Sequence, residues 1–233
     1  MHLERVYEVD GKGVMKLAGH EVTELVERFG SPLVVLLEEV IRFNCRAYRK
    51  ALQDNYPEGR VYYAGKAFLC AGLCKLLEQE GMWLDVVSAG EMHTARVAGF
   101  PASRMLLHGN AKTVRELEMA VEMGVGRIVI DNEAEIERLE QVARAAGRCV
   151  PVMIRVTPGV KPSTHEYVQT GQLDSKFGFN LAGGAARRAA ERVLGSGQLD
   201  LKGLHCHIGS QVFSTQPFQV AARAVLEFYA RLQ

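Results

Sequence analysis

Residues 83–110, WLDVVSAGEMHTARVAGFPASRMLLHGN, hold two short apolar runs, WLDVV and RMLL, with a helical segment between them. Each run is apolar on both faces, which suits a strand covered on both sides. The intervening AGEMHTARVAG closes on Gly99, as a left-handed helix C-cap requires. Strand, helix and parallel strand make the repeating unit of an α/β fold. Polar residues gather where each strand finishes: Asp85 with Ser88, then His108 with Asn110.

The alternation continues in both directions. Upstream, SPLVVLL (31–37) predicts a strand, EEVIRFNCRAYRKALQ (38–53) a helix, RVYYAGKA (60–67) a strand and CAGLCKLLEQEG (70–81) a helix. Downstream, TVRELEMAVEMG, RIVIDN, EAEIERLEQVARAAG, PVMIRVTP, GGAARRAAERVLGSG, DLKGLHCHIG and QPFQVAARAVLEFYARLQ repeat it. An open doubly wound sheet and a (β/α) barrel both fit. No G-x-G-x-x-G follows any strand, which weighs against a dinucleotide-binding sheet. Polar groups stand instead at the ends of several strands: Lys66, Asp85, His108, Arg155 and His207 with Ser210. A barrel delivers all of these to one mouth. The fold expected is a (β/α)8 TIM-barrel type with about six barrel strands, hence incomplete, since a full barrel takes about 250 residues. Residues 1–55 read as an N-terminal segment with a strand and a helix, and 56–233 as the truncated barrel. The chain is expected to be the N-terminal portion of a longer protein, its open sheet edges being a liability alone.

The 233 residues are 48% hydrophobic and 24% charged, with a formal net charge of +1. That is a globular composition with no electrostatic reason to expect nucleic acid or an anionic membrane. The charged opening MHLERVYEVDGKG is no signal peptide, and LVVLL is too short to span a bilayer. Cys45, Cys70, Cys74, Cys149 and Cys206 form no C-x-x-C and read as small buried thiols in a reducing cytosol.

Period 2 places Tyr62, Ala64 and Lys66 on one face, with Lys66 at the barrel rim. A sheltered lysine can act as a nucleophile or Schiff-base former; otherwise its ammonium snorkels to water. In GLHCHIGSQ (203–211), His205, His207 and Gly209 share a face. They suit a metal, or a flat ligand under His207 with Gly209 and Ser210 meeting a phosphate, or plain core histidines. Asp85, among apolar neighbours, needs a partner, and Arg155 is one candidate. In HGNAKT (108–113), Asn110 suits left-handed geometry and Thr113 an N-cap. The long loop TPGVKPSTHEYVQTGQLDSKFGF (157–179) carries Tyr167, Phe177 and Phe179, which argue that it packs.

Taken together, YYAGKAF, LDVVSAGE, HGNAKT, RVTPGV, THEYVQTGQLDSKFGF and GLHCHIGSQ resemble, in this order, the diaminopimelate decarboxylases. These are fold-type III enzymes dependent on pyridoxal 5'-phosphate, related to ornithine and arginine decarboxylases and to alanine racemase. The resemblance runs from ERFGSPLVV to the C-terminus. It implies a carboxy-lyase that converts meso-2,6-diaminopimelate to L-lysine, the last step of lysine biosynthesis. Lys66 corresponds to the lysine that binds the cofactor covalently and His207 to the ring stacked on its pyridine. Gly209 and Ser210 match part of the phosphate site. Ala64, Asp85 and His108 fall in the cofactor site, and Arg155 beside the phenolic oxygen. With His207 so occupied, no metal is implied.

In the family, the acid facing the pyridine nitrogen, a glycine-rich phosphate loop, the substrate-binding arginines and a second, β-rich domain all lie further along than Gln233. SPLVV resembles the strand that joins that second domain. The resemblance therefore predicts little or no turnover by this chain alone, a cytoplasmic location, and a homodimer of the full-length protein without nucleic-acid or membrane partners. Beside a non-catalytic reading, a truncated pyridoxal-phosphate-binding module or a gene fragment without function, two other enzyme readings stay open. One is a sister decarboxylase of the ornithine or arginine type; the other is a metal-dependent barrel hydrolase using His205 and His207.

Overall fold

A computed structural model describes residues 6–159, 177–210 and 212–232. The chain falls into two compact units, Met1–Val61 with Leu76–Met82, and Tyr62–Lys75 with Trp83–Gln233.

The first unit opens with an antiparallel sheet of β1 (Tyr7–Val9), β2 (Met15–Leu17) and β3 (His20–Glu21), followed by α1 (Val22–Phe29) and α2 (Glu38–Gln53). Between β1 and β2 the Asp10 carboxylate accepts from the N–H groups of Lys12 and Val14 at 2.8 and 3.0 Å. Asp side chains close turns in this way. This sheet was not foreseen, although DGKG between two alternating triplets is a hairpin signal. The opposite correction applies to SPLVVLL. Residues 33–37 run without ladder bonds into α2, and Val34 is 87% exposed. An apolar extended run becomes a strand only where a second strand supplies donors and acceptors, and among the described residues none pairs with it. The helix after it has the extent the sequence predicts. From α2, Arg42 and Arg46 reach the Glu80 carboxylate at 2.8 Å. Those hydrogen bonds, Arg46 first and Arg42 next, draw its pKa down to about 2.

The second unit is built on β4 (Tyr62–Ala64), β5 (Trp83–Val86), β6 (Met105–Leu107), β7 (Arg127–Ile130), β8 (Val150–Thr157), the two-residue β9 (Phe179–Asn180) and β10 (Leu199–His205). The path across the sheet is β10-β8-β7-β6-β5-β4, every neighbour parallel, with β9 pairing off β8. Strand order follows chain order and never reverses, so there is no switch point of the doubly wound kind. This is the barrel arrangement, and the six strands of the path match the number expected. The connections carry α3 (Ala71–Gln79), α4 (Ala89–Val97), α5 (Val114–Met123), α6 (Glu133–Ala145) and α7 (Ala185–Leu194), and α8 (Gln216–Ala230) follows β10. α3 begins in this unit and ends in the first.

Leu84, Val86, Leu107, Ile128, Ile130, Val152 and Ile154 are fully buried. Each contributes about 1.5–3 kcal/mol of transfer free energy. Helix starts are set locally. Thr113 caps α5 by accepting from Glu116 N–H at 3.3 Å, while Glu116 accepts from Thr113 N–H at 2.9 Å. This reciprocal pair satisfies two donors that a helix start otherwise leaves open. Among the described residues no helix is long and apolar enough to cross a membrane.

Candidate functional site

The first strand end differs from the sequence expectation. β4 stops at Ala64, and Lys66 sits in the 3-10 turn Gly65–Ala67 that follows. Lys66 is exposed, so of the two readings offered by the pattern the sheltered strand lysine is not the one found. Gly65 explains the turn. A Cβ there would lie 2.9 Å from the Asp85 carbonyl oxygen, so only glycine lets the chain leave β4 hard against β5. Ala64 stands in register with Asp85.

Asp85 alternates with buried Leu84 and Val86, its side chain 20% exposed. Its Oδ2 lies 3.9 Å from His108 Nδ1, and its buried Oδ1 has no hydrogen-bond partner. Burial lifts the Asp85 pKa to about 7, opposed by the charge of Lys66 and then of Arg155, and reinforced by Glu91. His108 follows β6, its backbone N–H on Val86 O at 2.8 Å. Its ring meets His205, at the end of β10, with centroids 4.5 Å apart at 55°. Burial brings the His108 pKa down to about 3 and that of His205 to about 4; His205 adds to the first and Arg155 to both. Both rings are therefore neutral at physiological pH. His108 Nε2 and His205 Nδ1 are buried and unpartnered, like Asp85 Oδ1. Three orphaned polar atoms from three strand ends are costly unless a ligand meets them.

β10 ends at His205, so His207 and Gly209 are not on the strand with it. His207 is exposed beyond the strand end, its pKa lowered by burial first and by Lys66 second. Lys66 follows β4 and His207 follows β10, the two edges of the sheet path. Gly209 has φ +124°, a conformation that favours glycine, and Ser210 beside it is exposed. Gln211 lies outside the described residues, as does Tyr167 of the long loop.

Arg155, on β8, is buried and pairs with Asp131 Oδ1 at 3.0 Å, not with Asp85. Asp131 is nearer along the adjacent strand end and as deeply buried, so it takes the guanidinium. The sequence pattern missed Asp131, which read as the close of RIVIDN. It also missed Lys112 in HGNAKT, the one fully sequestered lysine among the described residues. Lys112 Nζ pairs with Glu135 at 2.7 Å and donates to the carbonyls of Gly109 and Val129. The left-handed residue of that turn is Gly109, at φ +124°, rather than Asn110. All five cysteines are free; Cys149 is exposed, unlike the buried thiol expected, and burial raises the Cys74 pKa to about 11. Among the described residues no group of three or more His, Cys, Asp or Glu could hold a metal.

An amine, two neutral imidazoles, a carboxyl that changes charge near neutral pH and a guanidinium thus share one end of the sheet. Such a set can bind an anionic, polar aromatic ligand and move a proton near it. Comparison with known proteins identifies the ligand class. Residues 39–233 match the profile of the family described as pyridoxal-dependent decarboxylase, pyridoxal binding domain. The chain is 44% identical to the diaminopimelate decarboxylase of Bacillus subtilis (strain 168) over 215 residues, 92% of this chain and 49% of that protein. It is 48% identical to that of Actinosynnema pretiosum subsp. auranticum over 219 residues, 94% of this chain and 48% of the relative. Diaminopimelate decarboxylase from M. jannaschii in co-complex with L-lysine superposes with TM-score 0.88 at 31% identity, over all of this chain and 54% of that one. The chain spans about half the length of the curated relatives it matches.

Proposed function

Because this chain belongs to the pyridoxal-dependent decarboxylases through their pyridoxal-binding domain, we propose that it supplies the cofactor half of a diaminopimelate decarboxylase. The reaction is the removal of one carboxylate of meso-2,6-diaminopimelate as carbon dioxide, leaving L-lysine. The observation that carries the reading is the exposed Lys66, held off β4 by a glycine turn two residues past Ala64, which stands in register with the half-buried Asp85. Identities of 44–48% to diaminopimelate decarboxylases favour this substrate over ornithine or arginine.

Bound pyridoxal 5'-phosphate supplies an electron sink for the pair left when carbon dioxide departs. Lys66 would provide the amine that holds the cofactor. Asp85 holds a proton up to about pH 7 at the same strand end, so it can take up or return one there. His207, exposed at the opposite edge, is the flat surface for the pyridine ring. Gly209 and Ser210 offer a backbone N–H and a hydroxyl to the phosphate. His108 and His205, neutral and with free ring nitrogens, line the floor without adding positive charge. Arg155 supplies the cation near the phenolic oxygen, and Ala64 leaves room above β4. The full-length protein works in the cytoplasm as a homodimer.

The test is titration with pyridoxal phosphate, borohydride reduction and peptide mapping, with Lys66→Ala as control. Pyridoxyl label on Lys66 alone is the expected result. A loaded protein labelled elsewhere, or label unaffected by K66A, overturns the assignment.

A further inference from the structure

The Arg155 guanidinium is held by two groups, a carboxylate and an aromatic ring, that stand outside the residues assigned to the cofactor. Asp131 follows β7 and is 3% exposed. One of its carboxylate oxygens accepts from Arg155 Nη1 at 3.0 Å. The other accepts from Gly178 N–H at 3.2 Å. The Phe177 ring lies against the guanidinium, 4.5 Å from its carbon to the ring centroid. Phe177 is held in turn, its carbonyl accepting from Thr157 Oγ1 at 2.7 Å, while Phe179 and Asn180 pair with Val156 and Thr157. Gly178 has φ +68°, and a Cβ there would stand 2.8 Å from the Arg155 carbonyl oxygen. The Asp131 backbone is fixed as well, its N–H donating to Glu135 at 3.3 Å. On its other side Arg155 stands in register with His205 of β10, and its charge helps lower the pKa of His108, His205 and His207.

We propose that Asp131 is a positioning residue for the cofactor site: one carboxylate aims the Arg155 guanidinium and pins Phe177–Gly178 over it, so the FGF end of the long loop belongs to the site's support. This rests on the reading that the site holds pyridoxal phosphate. A fixed carboxylate behind an arginine and an aromatic ring on its face leave the guanidinium one orientation, the kind of support that sets how well a site performs.

The test is a sign. A cation held beside the bound chromophore makes it release its proton at lower pH. Asp131→Asn removes a negative charge, which by direct electrostatics moves the titration of the visible absorbance down. Loss of Arg155 positioning moves it up, by about one pH unit. We expect D131N to titrate upward and to bind pyridoxal phosphate about tenfold more weakly, and to lose the upward change in an Arg155→Ala background, where only the direct downward effect remains. A downward or absent change, or the same change with and without Arg155, overturns the proposal. Should D131N fail to fold, Phe177→Leu serves, with a smaller upward change expected and a wild-type titration overturning it. If wild-type protein carries no cofactor on Lys66, the functional reading falls and this proposal with it; a loaded wild type with an unaltered D131N removes this proposal alone.

Discussion

Replacing Asp85 by Asn should stabilise the second unit at neutral pH and above, and do almost nothing in acid. The Asp85 side chain is 20% exposed, one oxygen has no hydrogen-bond partner, and the nearest base, His108, is held neutral. Burial therefore moves its pKa from 3.8 to about 7 despite the opposing charge of Lys66. A raised folded-state pKa means the folded form keeps a proton that the unfolded chain has lost. Stability from this group is complete below pH 3.8, falls as pH rises, and levels off above about pH 7. Each pH unit in that window weakens the folding constant up to tenfold, so the full penalty is at most about 4 kcal/mol. Asn has nearly the same shape and no charge to lose. The gap between D85N and wild type should open from nothing near pH 3 to about 2–4 kcal/mol near pH 8. His108 and His205, with lowered pKa values, lose stability as pH falls, but they do so in both proteins and cancel in the difference. Trp83, the single tryptophan and a neighbour on the same strand, reports unfolding in urea at each pH. Lys66→Ala, by removing the opposing charge, should widen the gap. A gap independent of pH, or a wild type more stable than D85N near pH 8, would show an ionised and well-partnered carboxylate and refute the reasoning.

Two further outcomes follow from buried groups. Lys112 and Glu135 are 1% and 0% exposed at 2.7 Å, so Lys112→Met or Glu135→Leu alone strands a charge and should cost about 3–5 kcal/mol in urea unfolding, while the double variant recovers most of it; a double variant as poor as the worse single one would contradict this. At Gly126 a Cβ would lie 2.1 Å from the Ser103 carbonyl oxygen, whereas at Gly197 nothing stands within 4 Å. Gly126→Ala should therefore lower the thermal midpoint by several degrees, and Gly197→Ala should leave it nearly unchanged; equal midpoints for the two would show that the β6–β7 contact relaxes freely.

Periodicity carried the sheet. Runs such as RIVI and VPVMIRVT are apolar on both faces, and TVRELEMAVEMG announces its own cap at Thr113 and stop at Gly124, so their places are written in local chemistry. Local chemistry could not say where a strand stops. Lys66 and His207 continue the alternation of β4 and β10 in letters, but Gly65 turns the chain in one case, and β10 ends before His207 in the other. SPLVVLL has strand composition and lacks a partner, a property of the rest of the molecule and not of those seven letters. Candidate site residues at strand ends were legible because a parallel sheet gathers polar side chains there. Their supports were not: Asp131 and Lys112 read as turn residues, since nothing in sequence pairs them with residues 24 and 23 positions away.

Strand order also bears on how the site comes into being. Each strand of the path lies next to the following strand of the path, with β9 intervening in the chain between β8 and β10, so each ladder closes over one helical connection and can form as soon as its own unit exists. Such a sheet grows by addition at an edge, and loses order from its edges first. Lys66 and His207 follow the two outermost strands of the path, so a site that uses both depends on every ladder between them. Such a site is thus the last thing to assemble and the first to lapse. Amide exchange should be slowest in β6 and β7 and fastest in β4 and β10, and competence to bind at the mouth should track the edges, not the global melt.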